Sequence, residues 1–362
     1  MMRNLFIYGL LALSLSYLSG CIEAVELKEE TAVEREFVVR AVLYAGTSRN
    51  IVQLGYTQEF GVVIPAPEEG ASVSVTDDQG NTYSFTEESS GTYVWENTNR
   101  PILAGESFTL NISTRRGESF ISTTETVPGG VPIKNIYYEV NQDQFINEIG
   151  NPLTKDFVDV YIDVDLTGAE TASLLRWETD NVYLFWEVDK PKPPCNPFYT
   201  PKVCYIYDGK MQPEEVLLLD GRENVNTEIN RIWVGRKQLD STFNQLNGFE
   251  VVQHSMTKSS FSYWEDVSKV ISQGGGIFDS PPAPVRGNIT NVDKPLDQVL
   301  GSFQIANTDT AHLLIYKTDL APEYVPPRYC KPLWWDPCTF YRPCDNCQVI
   351  KNSSPVRPAF FP

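Results

Sequence analysis

Positive charge is scarce in this sequence. The chain carries 29 Lys and Arg residues against 47 Asp and Glu residues, a formal net charge of −18 at pH 7, and it contains no basic run. Proteins that bind nucleic acid gain much of their affinity by neutralising phosphates with Lys and Arg. The composition therefore excludes nucleic acid as a partner, and it disfavours adsorption to an anionic membrane surface for the same reason.

Histidine is scarcer still. The chain has only His254 and His312, and neither lies in a zinc-binding helix pattern or beside a nucleophile elbow. We interpret His312 as a histidine within a strand and His254 as a residue that precedes the helix and serves its N-terminal turn. No glycine-rich phosphate loop is present, because residues 274–276 follow a predicted helix and are typical of a C-cap. The sequence thus predicts no enzymatic activity, no cofactor and no metal site.

No apolar run is long enough to cross a bilayer. The run over residues 5–18 has about 14 residues, whereas a spanning helix needs about 20. Arg3 precedes the run and Leu18-Ser19-Gly20-Cys21 closes it, an order that predicts a signal peptide over residues 1–20. The cysteine resembles that of a bacterial lipobox, in which Cys21 is acylated and the chain is cut before it. The alternative is a plain signal peptide followed by a chance cysteine.

Lipid at Cys21 is expected to hold the mature chain on a membrane. Removal of residues 1–20 takes away Arg3 and no acidic residue, so 28 basic residues remain against 47 acidic ones, a net charge of −19. Electrostatic attraction to an anionic surface is thereby excluded, and attachment depends on the acyl chains. Each buried methylene contributes about 0.8 kcal/mol, so two or three chains anchor the protein firmly.

Six cysteines remain after Cys21. An even number in an exported chain predicts disulfides, because the compartments outside the cytoplasm are oxidising. The spacing in the tail does not fit a common zinc site, and the 344–347 pair lacks the βαβ setting of a redox motif. The pairing is left open among the six candidates, which are Cys195, Cys204, Cys330, Cys338, Cys344 and Cys347.

Short alternating strands fill most of the chain after an acidic tether at residues 21–34. Strands rich in Val, Tyr and Thr, separated by turn residues, predict an all-β fold of two β-sandwich domains, over residues 35–128 and 131–321. The predicted strands of the first domain are 37–43, 51–57, 72–76, 82–86, 92–96, 109–113 and 119–124. Those of the second are 136–140, 157–166, 174–177, 182–188, 203–207, 232–234, 249–253, 303–306 and 313–317.

One stretch breaks the two-residue period and predicts an amphipathic helix over residues 258–272. Its apolar residues recur at three- and four-residue steps, at Phe261, Trp264, Val267 and Ile271. Ser255, Thr257 and Ser259 are the candidate N-caps, and Gly274 is the terminator. We interpret the Tyr263-Trp264 pair as core packing, with a ligand platform as the alternative.

The strand around residues 156–165 carries a row of carboxylates. Alternation places Asp159, Tyr161, Asp163 and Asp165 on one face, and the apolar residues 158, 160, 162 and 164 on the other. Clustered carboxylates suit calcium or a glycosidase pair. The preferred interpretation is that Asp163 and Asp165 belong to the solvated side of a half-buried strand.

The tail over residues 322–362 is rich in proline, cysteine and aromatic residues. Trp334, Trp335, Phe340 and Tyr341 lie close to cysteines, an arrangement that offers a rigid platform for a sugar or a partner protein. The alternative is that these rings close an open edge of the second sandwich.

Several blocks, in a fixed order, carry a resemblance to a known family. They are the lipobox and the stretches 37–41, 70–78, 251–257, 276–289, 344–347 and 357–361. Together they resemble the Bacteroidota lipoproteins catalogued as domain of unknown function 4249, over nearly the whole mature chain. The tail departs from the family pattern, which is richer in glycine where residues 350–354 stand here.

This resemblance implies an immunoglobulin-like or carboxypeptidase-regulatory-like N-terminal sandwich, followed by a larger, fibronectin-III-like β domain. Genes of the family typically lie beside TonB-dependent receptors. The resemblance therefore implies a non-enzymatic outer-membrane lipoprotein that helps a β-barrel transporter capture a ligand or shapes its opening. No catalytic residues are known for the family, so none is assigned here.

The acidic run after Cys21 is similar to surface-export signals, so display on the cell surface is expected, with the periplasmic face as the alternative. The alternative function is a stand-alone glycan-binding or adhesive module that uses Trp334 and Trp335. A third class, a secreted hydrolase, would depend on Asp163 or Asp165.

Overall fold

Strands dominate the structure. The computed structural model describes residues 35–58, 65–167, 173–187, 200–211, 215–223, 227–272, 284–324, 344 and 346–362, and within them it contains nineteen strands and one α-helix. The prediction of an all-β chain with a single amphipathic helix is thereby confirmed. No helix within these ranges is long and apolar enough to cross a membrane.

The strands follow one another along the chain with five short 3₁₀ turns and helix α1 (Lys258–Ser272) between or after them. They are β1 (Phe37–Ala45), β2 (Arg49–Tyr56), β3 (Ala66–Pro67), β4 (Ser72–Asp77), β5 (Thr82–Ser89), β6 (Thr92–Glu96), β7 (Ser107–Ser113), β8 (Ser119–Ser122), β9 (Glu125–Thr126), β10 (Ile133–Ile146), β11 (Pro152–Asp165), β12 (Leu174–Trp186), β13 (Val203–Lys210), β14 (Leu217–Asp220), β15 (Glu228–Gln238), β16 (Leu246–Met256), β17 (Ile289–Asn291), β18 (Val299–Tyr316) and β19 (Ser353–Ser354). The 3₁₀ turns are Gly221–Glu223, Ser241–Phe243, Lys317–Asp319, Pro322–Tyr324 and Cys347–Val349.

Two sheets organise these strands. The larger has the order β17-β8-β7-β4-β5-β6-β2-β1-β18-β16-β12-β13-β19, with β3, β9 and β14 attached beside it, and the smaller has the order β10-β11-β15. Neighbouring strands are antiparallel except for β1 and β18, which run parallel from the pair Phe37–Val299 to the pair Ala45–Asn307.

Four apolar clusters form on these sheets. The two largest are the first and the second core, and β18 contributes to both. The first core takes alternate residues of β1 together with Phe303 and Ile305 of β18. The second takes Ile315, near the other end of the same strand, with buried residues of β11, β12 and β16. Residues Glu36–Pro362 accordingly form one compact unit. The domain limits at 128 and 131, and the likeness of each part to a named sandwich type, stay predictions.

Strand β18 approaches β1 very closely at Gly301. This glycine has φ +83°, and a Cβ built on it would lie 1.9 Å from the carbonyl oxygen of Val39. Only glycine avoids both the left-handed strain and this clash. The residue thus permits the parallel pairing that joins β1 to β18.

Two pairs of predicted strands are single strands in the structure. Residues 174–177 and 182–186 belong to β12, and residues 303–306 and 313–316 belong to β18. The prediction divided β12 because polar residues interrupt its apolar sequence pattern. In the structure these polar side chains are hydrogen-bonded: Thr179 Oγ1 donates to the carbonyl of Val234, and Asn181 Nδ2 donates to that of Gly248. Such hydrogen bonds let a polar segment stay within a buried strand.

The C-terminal residues are joined to β13 by a disulfide and by strand pairing. A disulfide joins Cys204 to Cys347 with a Cα–Cα distance of 6.0 Å, and β19 pairs with β13 beside it. Cys344 is disulfide-bonded as well. The predicted disulfides are therefore confirmed for these three cysteines, whereas Cys195, Cys330 and Cys338 lie outside the described residues.

Candidate functional site

A cavity of about 350 Å³ lies between helix α1 and the sheet. Its floor is formed by β1, β18, β16 and β12, which are adjacent in the sheet. Register places Arg176 opposite His254 on neighbouring strands, and Ala306 of β18 pairs with both Met256 and Tyr44. Directly opposed residues point to the same face. The cavity side of the sheet is therefore the face turned away from the two apolar cores.

The alternation of β1 and β12 explains how this face arises. In β1, residues 37, 39, 41 and 43 enter the first core, so Val38, Arg40, Val42 and Tyr44 project to the opposite side. In β12, Leu175 and Trp177 enter the second core, which turns the charged side chains between and after them to the cavity. Each strand thus has an apolar face for the core and a mixed face for the helix.

Helix α1 is held over the cavity by its own polar and aromatic contacts. Trp264 Nε1 donates to Gln304 Oε1 at 2.9 Å, and the Tyr263 hydroxyl is hydrogen-bonded to Ser302. The Trp264 ring also lies over the Arg176 guanidinium, with 4.2 Å between the ring centroid and Cζ. Cation–π contacts of this kind are worth about 0.5–2 kcal/mol.

Three positively charged groups and one carboxylate line the described walls of this cavity. Arg176 Nη1 and Lys210 Nζ donate to the two oxygens of Glu178, and Arg40 lines the cavity without joining that cluster. Burial by itself raises the pKa of the Glu178 carboxyl, but the charges of Arg176 and Lys210 outweigh it and lower that pKa to about 2. Glu178 is therefore ionised, and the lining keeps an excess of positive charge in an acidic protein.

Two nitrogen atoms on this lining are buried without a hydrogen-bond partner, namely Arg176 Nε and His254 Nε2. The two residues are 8% and 5% exposed. Burial and the nearby charge of Arg176 lower the pKa of the His254 imidazole to about 3, so the ring is neutral at ordinary pH. An unpaired buried polar group costs about 1–3 kcal/mol. Both residues line the cavity, and a ligand that bonded these nitrogens would recover this cost.

A second cavity of about 190 Å³ adjoins the first and shares Arg176, Glu178, Lys210 and Trp264 with it. Its other walls are more apolar and include Leu217, Val234 and Ile271. The stacked Arg176 and Trp264 side chains are thus the central element of the whole region.

The predicted carboxylate row lies elsewhere, on β11. Val158, Val160, Ile162 and Val164 are fully buried, as the alternation predicts. Asp159 is buried as well, at 1% exposure, so this position is not solvated. It accepts hydrogen bonds from Arg236 Nε at 2.6 Å, Arg236 Nη2 at 2.8 Å, Asn141 at 2.7 Å and Trp233 at 3.1 Å.

Asp163 and Asp165 are only partly exposed. Asp163 accepts from the backbone of Arg231 at 2.8 Å and from Asn135 at 3.0 Å, and Asp165 accepts from the backbone of Thr167. Both carboxylates therefore accept hydrogen bonds from neighbouring protein groups. No group of three or more His, Cys, Asp or Glu residues able to hold a metal ion occurs in the described part of the chain.

The two histidines have different surroundings. His312 lies in β18, as predicted, where it pairs with Glu250 at 2.8 Å and stacks on Phe360. His254 precedes the helix, as predicted, but it does not serve the N-terminal turn: it lies inside β16 and lines the cavity, while Thr257 caps the helix. The correction follows from strand length, because β16 extends to Met256.

The remaining sequence candidates have mixed outcomes. Tyr263 and Trp264 belong to neither apolar core and instead line the cavity. Cys21 and the aromatic group Trp334, Trp335, Phe340 and Tyr341 lie outside the described residues.

Sequence reasoning missed Arg176, Glu178 and Lys210. A usable signal was present in the string Leu174-Leu175-Arg176-Trp177, which places an arginine in an otherwise apolar stretch. A charge at such a position needs a partner or a cavity. The pairing with Glu178 and Lys210 depends on strand neighbours that the sequence does not reveal.

Comparison with known proteins places this site within a family. No curated protein matches the sequence. The family model described as "Domain of unknown function (DUF4249)" matches residues 22–312, a span that includes helix α1 and every residue of the larger cavity. The chain therefore belongs to this family.

Proposed function

We propose that the mature protein is a non-enzymatic, lipid-anchored outer-membrane protein that captures a small ligand for a TonB-dependent transporter. The ligand site is the cavity beneath helix α1. The transporter and the Bacteroidota-type outer membrane come from the family resemblance and the lipobox, and Cys21 carries the anchor. Display at the cell surface is part of the same proposal.

One observation supports ligand capture most directly: the buried, unpaired nitrogens of Arg176 and His254 on the wall of a cavity of about 350 Å³. Small-molecule sites have volumes of roughly 300–1,000 Å³ and combine apolar walls with a few convergent polar groups. The cavity fits this description. Arg176, Glu178 and Lys210 are bonded to one another, an arrangement that favours binding over chemistry.

The experiment is purification of the full chain from native membranes in a mild detergent, followed by denaturing extraction and mass spectrometry of small molecules. We expect a bound compound with the wild-type protein and its loss from Arg176→Met. Arg115→Met is the matched control, because it removes an equal charge from an exposed turn away from the cavity. Melting curves establish that both variants are folded.

The protein purified from native membranes also tests the association with a transporter. A β-barrel protein retained with the wild-type chain supports the transporter role. Absence of any small molecule from the folded wild-type protein contradicts ligand capture, and absence of a β-barrel from cross-linked native membranes contradicts the transporter role.

A further inference from the structure

The charge of the cavity selects among ligand classes. Glu178 is the one carboxylate of the described lining, and both of its oxygens are taken by Arg176 and Lys210. The remaining positive charge, which includes that of Arg40, has no counter-ion on the lining. Charges in a partly buried site interact more strongly than in water. An anionic ligand is therefore favoured, and a cationic one is repelled.

The geometry of Arg176 provides a buried, unpaired donor for such a ligand. Its Nη1 is bonded to Glu178 and its plane is covered by the Trp264 ring, which together fix the orientation of the guanidinium. Its Nε is buried and unpaired. A guanidinium N–H is a strong donor to carboxylate and phosphate oxygens. His254 stands opposite Arg176 in the register, and its Nε2 is likewise buried without a partner.

The rest of the lining suits an apolar body. Val38, Val42 and Met256 line the cavity from the sheet, and the rings of Tyr263 and Trp264 line it from the helix. Such surfaces favour burial of a hydrocarbon or aromatic group at about 25 cal/mol per Å². A fully hydrated inorganic ion would leave them without contacts.

We propose that the cavity binds a small organic carboxylate with an apolar body. The carboxylate accepts from Arg176 Nε–H and from the Nε2–H tautomer of His254, and the apolar body lies against Val42, Met256 and Trp264. This inference rests on the proposed function and specifies its ligand class.

The chain offers a direct readout, because it contains only two histidines. In the full chain, purified without a histidine tag and labelled with ¹³C-histidine, His312→Gln assigns the two ring signals. The probes are benzoate, its neutral isostere benzamide, the cation benzylamine, and phenyl phosphate. We expect benzoate to shift the His254 signal and leave that of His312 in place. We also expect benzoate to bind at least tenfold more tightly than benzamide and no more weakly than phenyl phosphate, and benzylamine to have no effect.

Substitutions test whether benzoate binding depends on Arg176. Arg176→Met should weaken benzoate binding at least tenfold, whereas Arg115→Met should leave it unchanged. If Arg176→Met does not fold, Arg176→Lys serves in its place, because it keeps the charge but lacks Nε–H and should also weaken binding.

The inference is overturned if benzamide or benzylamine binds as tightly as benzoate, if phenyl phosphate binds more tightly, or if the folded Arg176 variant binds benzoate like the wild type. It is also overturned if the compound extracted from native membranes is neutral or cationic. In that last case ligand capture itself still holds, which separates the two proposals.

Discussion

At the scale of single residues, Asp159 shows how a buried charge is accommodated in this protein. Both of its oxygens accept from the Arg236 guanidinium, and Asn141 and Trp233 complete its hydrogen bonding. Burial favours the neutral acid, but these hydrogen bonds outweigh it and hold the pKa of Asp159 below its ordinary value. The carboxylate is therefore a structural tie between β11, β10 and β15.

We predict that Asp159→Asn lowers the free energy of unfolding by about 1–3 kcal/mol at pH 7, the usual cost of losing hydrogen bonds to a charged group. Asp156→Asn is the control and should change it by less than about 0.5 kcal/mol, because Asp156 makes an exposed contact with Gln142. The measurement is urea unfolding. Since the folded pKa is depressed, the difference between wild type and Asp159→Asn should be full above pH 3.8 and shrink as pH falls through the folded pKa.

Burial of His254 affects the pH dependence of stability in a different way from burial of Asp159, because the folded protein holds His254 in its neutral form. Its cation is disfavoured by burial and by Arg176 and Lys210, while Glu178 favours it, and the net effect is a pKa of about 3. Below pH 6.5 the histidine therefore binds a proton in the unfolded chain but stays neutral in the folded chain, so the free energy of unfolding falls.

We expect His254 to reduce the free energy of unfolding by about 2 kcal/mol between pH 7 and pH 5, and His254→Gln to remove this dependence. His312→Gln is the control. Parallel stability curves for wild type and His254→Gln over this range would show that the ring is not buried in the neutral form.

At the scale of secondary-structure elements, the structure shows which of the three N-cap candidates begins helix α1, a choice that the sequence alone left open. The backbone N–H of Ser260 donates to Thr257 Oγ1 at 3.1 Å, and Thr257 Oγ1 in turn donates to Glu125 Oε2 at 2.6 Å. Ser255 lies in β16, and Ser259 lies inside the helix. The cap therefore both begins the helix and connects it to β9.

We predict that Thr257→Ala lowers the free energy of unfolding by about 1 kcal/mol or more, because an N-cap side chain is worth about that amount. Ser259→Ala should have an effect near zero, since Ser259 is exposed in the first turn. Chemical denaturation of both variants provides the measurement. Equal losses would contradict the assignment of Thr257 as the cap.

The local sequence pattern was sufficient to predict the bounds of elements whose apolar residues recur at regular spacing. The helix over residues 258–272 has the predicted bounds, because Phe261 and Trp264 keep the helical period and a cap precedes them. Strand β6 (Thr92–Glu96) also has the predicted bounds. Strands β12 and β18 were divided in two by the prediction because their polar segments are satisfied by residues distant in sequence, as with Thr179 and Val234. The cavity was missed for the same reason: its lining residues come from six separate elements.

At the scale of the whole molecule, the pairing of β1 with β18 could not be predicted from the sequence. It joins Phe37 to Val299 and brings Val299, Phe303 and Ile305 into a core built mostly from the first part of the chain. Its physical requirement is a glycine at position 301, where a side chain would meet Val39. A lone glycine in a strand signals a close approach but does not name the partner. The floor of the candidate site depends on this one long-range pairing.

The lipid anchor is the remaining whole-molecule prediction. An alkyne fatty acid supplied to growing cells should label the wild-type chain, and Cys21→Ser should lose the label and leave the membrane fraction. The double variant Cys204→Ser with Cys347→Ser is the control: it removes thiols that are joined in a disulfide, and it should keep both label and membrane attachment. A chain with net charge −19 after removal of residues 1–20 has no electrostatic means of staying on an anionic surface. Persistent labelling of Cys21→Ser would therefore place the lipid on another residue and remove the basis for anchoring at the mature N-terminus.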